Sequence, residues 1–159
     1  TSMSFDINLK GKEQKIKFNY MLNFKANKKL ATKDKEGKSQ NDGAGVLFVQ
    51  VLEKEDDALV NLLQLVDCKA TENDALEAID TYVRELVESG LSEEEAYNRI
   101  FEDLKQEMLA SGFFVSKIRK YLENIEKVIE MMESRKKEED KVQIMQLKEL
   151  SERIKKEIS

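Results

Sequence analysis

The sequence predicts a mainly α fold (α+β): an N-terminal β-hairpin followed by a bundle of about five to seven α-helices with a helical C-terminal tail. Three observations carry this expectation. Apolar and polar residues alternate near the N-terminus, apolar residues then recur at helical spacing, and capping signals with glycine stops punctuate the helical stretches.

Phe5, Ile7 and Leu9 alternate with Asp6, Asn8 and Lys10, and after Lys10-Gly11-Lys12 the alternation resumes at Ile16, Phe18 and Tyr20. This is the pattern of a two-stranded hairpin with one apolar face. Such a hairpin is marginal alone, so helices of the same chain or strands of another subunit must cover it. From about Tyr20 the period changes, and Met21 with Phe24 and the Leu22, Ala26, Leu30 series predict a short helix. The polar stretch from Thr32 to Gly45, with Gly37, Gly43 and Gly45, reads as a mobile surface loop.

Val46, Leu47, Phe48, Val49, Val51 and Leu52 are too densely apolar for a solvent-facing helix, and periodicity alone does not separate a buried helix from a buried strand. A helix is expected, because Ala58, Leu59, Leu62, Leu63 and Leu65 continue at helical spacing. The acidic break Glu53 to Asp57 supplies a first turn, where carboxylates suit the helix dipole. Thr71 with Asp74 opens the next helix, which runs to a stop at Gly90. Ser92 with Glu95 forms a capping box opening another, stopping near Gly112. Two helices of similar length so punctuated predict a helical hairpin.

Phe113-Phe114-Val115 follows, either anchoring the next helix to the core or contacting a partner. Ile118, Leu122, Ile125, Ile129 and Met132 then form a helical stripe. The charged run Arg135 to Lys141 breaks it, and Val142, Met145, Leu147, Leu150 and Ile154 resume in shifted phase. The expected result is a tail of two helical segments, or one long helix, that does not obviously bury itself.

Composition narrows function. The chain has no histidine and one cysteine among 159 residues, with 40% hydrophobic and 37% charged residues. Without histidine, most hydrolase and zinc chemistries lose their usual base or ligand, so a non-enzymatic role without metal or cofactor is expected. Cys68 has no intrachain disulfide partner and is expected as a small buried hydrophobe. No membrane-length apolar run or signal-peptide layout is present, from which cytoplasmic residence is expected. Thr1-Ser2 ahead of Met3 reads as a cloning scar.

Charge is unevenly distributed. Residues 1–38 hold ten lysines against four acids, a local charge of +6, and the remainder holds 17 basic against 28 acidic residues, −11. Such a dipolar chain suits head-to-tail self-association or an acidic partner. A solvated lysine-rich surface explains the same lysines equally well. The acidic remainder would repel phosphate, which argues against nucleic acid as partner. Asp42-Gly43 lacks the other ligands of a calcium loop, and Gly43-Ala44-Gly45 lacks the third glycine and the Lys-Ser/Thr of a phosphate loop. Glu93-Glu94-Glu95 and Glu138-Glu139-Asp140 read as a helix first turn and a polar patch.

Taken together, the hairpin of Phe5 to Leu9 and Lys15 to Tyr20, the helix ending in Lys28-Lys29-Leu30, the glycine-containing loop, the hydrophobic helix pair and the late Ser111-Gly112-Phe113-Phe114 have a familiar order. Over residues 3–133 it resembles the tail assembly chaperones of long-tailed phages and prophages of Gram-positive bacteria, with 134–159 an additional charged helical tail. The resemblance implies a non-enzymatic assembly factor in the host bacterial cytoplasm, absent from the mature virion. It implies binding of the tape measure protein, a long and largely helical chain, which is kept soluble while tail tube protein polymerises around it. It further implies a homo-oligomer, and recruitment of tail tube protein chiefly by a longer frameshifted form. Val46, Leu47, Phe48, Phe113, Phe114, Val115, Ile118, Leu122, Ile125 and Ile129 are the candidate subunit or client contacts. The alternatives are a small nucleic-acid-binding regulator using the lysine-rich N-terminal region and a generic helical adaptor.

Overall fold

A computed structural model describes residues 4–159; Thr1 to Met3, and with them the cloning-scar reading, lie outside the described residues. Strands β1 (Phe5–Leu9) and β2 (Lys12–Ile16) pair antiparallel, with Leu9 opposite Lys12. The two-residue loop has positive φ at both Lys10 (55°) and Gly11 (80°), the backbone that joins twisted strands most tightly. Phe5, Ile7, Leu9 and Ile16 point into the protein. Their cover comes from the same chain: Phe5 stacks on Tyr82, ring centroids 5.1 Å apart. The second strand stops at Ile16, short of the alternation's end at Tyr20, because Asn19 accepts a hydrogen bond from the Leu22 amide (3.0 Å) and starts a helix there.

Seven α-helices follow: α1 (Tyr20–Leu30), α2 (Gly43–Leu52), α3 (Asp56–Val66), α4 (Glu72–Glu88), α5 (Glu93–Ala110), α6 (Gly112–Arg135) and α7 (Lys141–Ile158). The fold is mainly α with a small β-hairpin, as the patterning predicts. Both capping boxes form: Thr71 and Ser92 each accept from the N3 amide while Asp74 and Glu95 accept from the cap amide. The Ser92 amide bonded to Glu95 holds that carboxyl below its usual value. Gly90, at φ 118°, follows the end of α4. Asp56 and Asp57 occupy the first turn of α3, and α4 and α5 pack as the expected hairpin.

Helix α2 is the centre of the molecule. It contacts α1, α3, α5 and α6, and Leu47 and Phe48 have no solvent exposure. Its start corrects the sequence reading: Gly43 and Gly45 belong to the helix and not to a loop. A Cβ on Gly43 would collide with the Ala26 carbonyl and lie 2.6 Å from the Asn27 nitrogen, and one on Gly45 would collide with the Tyr121 ring. These glycines let α2 approach the backbone of α1 and the side of α6 more closely than any other residue permits. Asn27 accepts from the Gly43 amide (2.8 Å), capping α2 from the neighbouring helix.

The polar stretch before α2 is tied down rather than loose. Thr32 donates through both its amide (2.7 Å) and its hydroxyl (2.6 Å) to the Asp42 carboxylate. Between them, Asp34 Oδ1 accepts from the Glu36 and Lys38 amides, and Lys33 bridges to Ser39. Polar side chains here satisfy the backbone locally, so a segment without apolar residues still takes a defined path.

Helix α5 stops at Ala110, near Gly112 as expected; Ser111 closes it and caps α6, of which Gly112 is the first residue, accepting from the Phe114 amide (3.1 Å). The Ser111 hydroxyl also donates to the Phe18 carbonyl (2.7 Å), joining the end of the hairpin to α6. Two further expectations are corrected. Cys68 is exposed, because it lies in the turn after α3, where Asp67 accepts from the Lys69 amide. Finally, the tail buries itself: Lys136 takes a left-handed conformation, a 3-10 turn spans Glu138–Asp140, and α7 folds back along α6 with Ile154 inaccessible to solvent.

Gly43→Ala is expected to destabilise the protein by about 1–3 kcal/mol, since backbone must move to admit the methyl group. Gly112→Ala, with open space around its Cβ and no positive φ, is expected to be neutral or slightly stabilising. Urea unfolding of the two variants checks the pair.

Candidate interaction surfaces

Most of the candidate contact residues are interior. Leu47, Phe48, Phe114, Ile118, Leu122, Ile125 and Ile129 are buried in one continuous core, out of reach of a partner while the fold is closed. Val46, Phe113 and Val115 are half-buried. The Phe113-Phe114 pair therefore splits its two readings. Phe114 is the anchor, packed edge-on against Phe18 with centroids 5.2 Å apart, and Phe113 faces the surface.

Phe113 leads to a surface that apolar density did not identify. Its ring meets Tyr20 of α1 at 5.6 Å, and Tyr20, Met21 and Phe24 are 67%, 62% and 51% exposed. Lysines surround them: the Lys28 ammonium lies 5.4 Å above the Phe24 ring and that of Lys117 lies 5.5 Å above Phe113. Cations over ring faces are a favourable electrostatic arrangement and keep these rings in contact with charge at their outer side. The N-terminal charge excess is thus concentrated, in part, around exposed aromatic side chains. The signal was present in the sequence as the helical spacing of Tyr20 and Phe24, one turn apart.

A second run of exposed apolar side chains lies along the hairpin of α6 and α7: Val128 and Met131 on the first helix, Val142 and Met145 on the second. The hairpin is fastened at its base. Arg153 donates to the Leu52 carbonyl at the end of α2 (3.1 Å), Lys155 pairs with Glu126 (3.3 Å) and Lys148 with Glu133 (2.9 Å). Lys105 on α5 pairs with Glu157 (3.2 Å). Partial burial pulls the Lys105 ammonium down, but Glu102 and Glu157 outweigh it and hold its pKa above the ordinary lysine value. Exposed pairs of this kind contribute about 0–1 kcal/mol each, so α7 owes its place to Ile154 and the residues around it rather than to charge. The boundary at 133/134 falls within the last turn of α6.

Burial pushes the Tyr82 hydroxyl well above its usual pKa, and the Asp103 carboxylate it donates to (3.1 Å) adds to the shift. Among the described residues no group of three or more His, Cys, Asp or Glu side chains is placed to hold a metal ion, and no helix is long and apolar enough to cross a membrane. The chain matches no protein-family model, and no curated protein or solved structure is detectably similar to it.

The division between Phe113 and Phe114 is directly measurable. Phe114→Ala is expected to cost about 3–5 kcal/mol in chemical unfolding, as a fully buried aromatic removed from a packed core. Phe113→Ala is expected to cost clearly less than Phe114→Ala, because the Phe113 ring is only half-buried at the edge of the core.

Proposed function

We propose that this protein is a non-enzymatic tail assembly chaperone of a long-tailed phage or prophage, holding the tape measure protein soluble in the host bacterial cytoplasm while tail tube protein polymerises around it. One observation carries the reading. A chain whose core is already filled leaves large apolar side chains uncovered, grouped on α1 as Tyr20, Met21 and Phe24 and along the α6–α7 hairpin as Val128, Met131, Val142 and Met145, with Leu76 and Tyr97 exposed singly. A holder of a helical client needs such surface, and helices present it in rows that another helix can meet. Methionine, found at both places, adapts its shape to differing client side chains. The order of elements over residues 3–133 supports the same reading, as do the polar and charged residues that alternate with these apolar positions and keep the free protein in solution.

In this reading the protein acts without cofactor or metal. It works as a homo-oligomer, the basic N-terminal part of one copy meeting the acidic remainder of another, and recruits tail tube protein through a longer frameshifted form. Co-expression with the tape measure protein encoded beside it tests the function. The tape measure protein is expected in the soluble fraction with this chain present and in the pellet without it. A tape measure protein that stays soluble without the chain contradicts the reading.

A further inference from the structure

We propose that the surface formed by the first half of α1, the end of β2 and the first turn of α6 is a docking site for an acidic amphipathic helix of a partner protein. It deepens the chaperone reading and rests on that reading only for the identity of the chain that carries the helix. The site has three parts. The first is the aromatic ridge, Tyr20 and Phe24 one helical turn apart with Phe113 against Tyr20. The second is an adjoining hollow of about 190 Å³ whose apolar lining includes Ile16, Met21, Leu22 and Leu65 and whose lysines are Lys15, Lys17 and Lys25. The third is the surrounding charge.

The charge is what selects the occupant. Some lysines elsewhere on the molecule are matched, Lys105, Lys141, Lys148 and Lys155 each having a carboxylate within 3.5 Å, whereas others, such as Lys12, Lys33 and Lys127, pair with none among the described residues. Lys15 is likewise paired, with Asp6 (3.2 Å) and Glu13 (3.4 Å). Among the described residues no carboxylate pairs with Lys17, Lys25, Lys28 or Lys117, and these four surround the apolar centre. An apolar centre with an unmatched cationic rim is complementary to a stripe of apolar side chains flanked by carboxylates. Rings repeated one turn apart on α1 interdigitate with apolar anchors repeated one turn apart on a partner helix, and the hollow accepts one such anchor. Single-stranded nucleic acid fits less well. Phe24 and Phe113 already carry ammonium groups over their faces, so two of the three rings are not open platforms for stacking bases.

The probe is a fluorescein-labelled synthetic peptide of about 18 residues, about five helical turns, with leucines along one face and glutamates elsewhere. Binding to the full chain is followed by anisotropy over a salt series. Its isomer with lysine in place of glutamate and a single-stranded DNA oligonucleotide are run beside it. Expected are binding of the glutamate peptide that weakens with salt, no binding of the lysine peptide, and an affinity loss of about tenfold or more in Lys25→Glu/Lys28→Glu and in Met21→Ser/Phe24→Ser. Met21, Phe24 and Lys28 are exposed and Lys25 is half-buried, and circular dichroism checks that both variants keep the fold. Three results overturn the proposal. The glutamate peptide fails to bind or binds both variants unchanged; the oligonucleotide binds more tightly than the peptide; or the variants only dissociate a self-assembled form seen by light scattering while peptide affinity stays the same. Peptide binding without any effect on tape measure solubility leaves the surface intact and removes the chaperone reading. Solubilisation without peptide binding removes only the surface.

Discussion

The structure depends on the approach of α2 to its neighbours. Two glycines in its first turn remove the side chains that would hold it off the backbone of α1 and the Tyr121 ring of α6, and Asn27 caps it from α1. With α2 seated, Leu47 and Phe48 reach the middle of the molecule and α3, α5 and α6 have a common surface to pack on. The ten residues of α2 carry no charge. A helix of that composition is stable only when surrounded, and the rest of the chain provides the surroundings.

A filled interior changes the meaning of the apolar side chains that remain outside. The hairpin face is covered by α4, the α6 stripe is covered from both sides, and α7 closes over the far end through Ile154. Nothing in the packing calls for Tyr20, Met21 or Phe24 on the surface, where each loses the stabilisation that burial gives, about 1.5–3 kcal/mol for a large side chain. Their retention beside unpaired lysines is the feature on which a binding role rests. The same logic separates this surface from Phe114, whose chemistry is identical to that of Phe113 but whose environment is the core.

Much of the architecture was legible because local signals agreed with one another. Alternation defined the hairpin, Thr71 with Asp74 and Ser92 with Glu95 marked two helix starts, and the charged run after Arg135 marked a break. The misreadings share a cause: one residue type serving two physical purposes. Glycine marks turns and also close helix contacts, so Gly43 and Gly45 were assigned to a loop. Dense apolar residues mark cores and also interfaces, so Val46 to Phe48 and the α6 stripe were candidate contacts although most are interior. The helix from about Tyr20 was legible, but its spacing alone does not show that Tyr20, Met21 and Phe24 lie outside the core, because that depends on which face of α1 its neighbours cover. Burial of α7 and exposure of Cys68 depend on how distant elements meet, which no local pattern encodes.

Native-state hydrogen exchange tests the central role of α2 most directly. The amides of Leu47, Phe48 and Val51 are expected to exchange only through global unfolding, with the same free energy as the most protected amides of α6. Exchange of α2 at markedly lower free energy, while α5 and α6 stay protected, would show that the bundle holds together without it and would contradict the account.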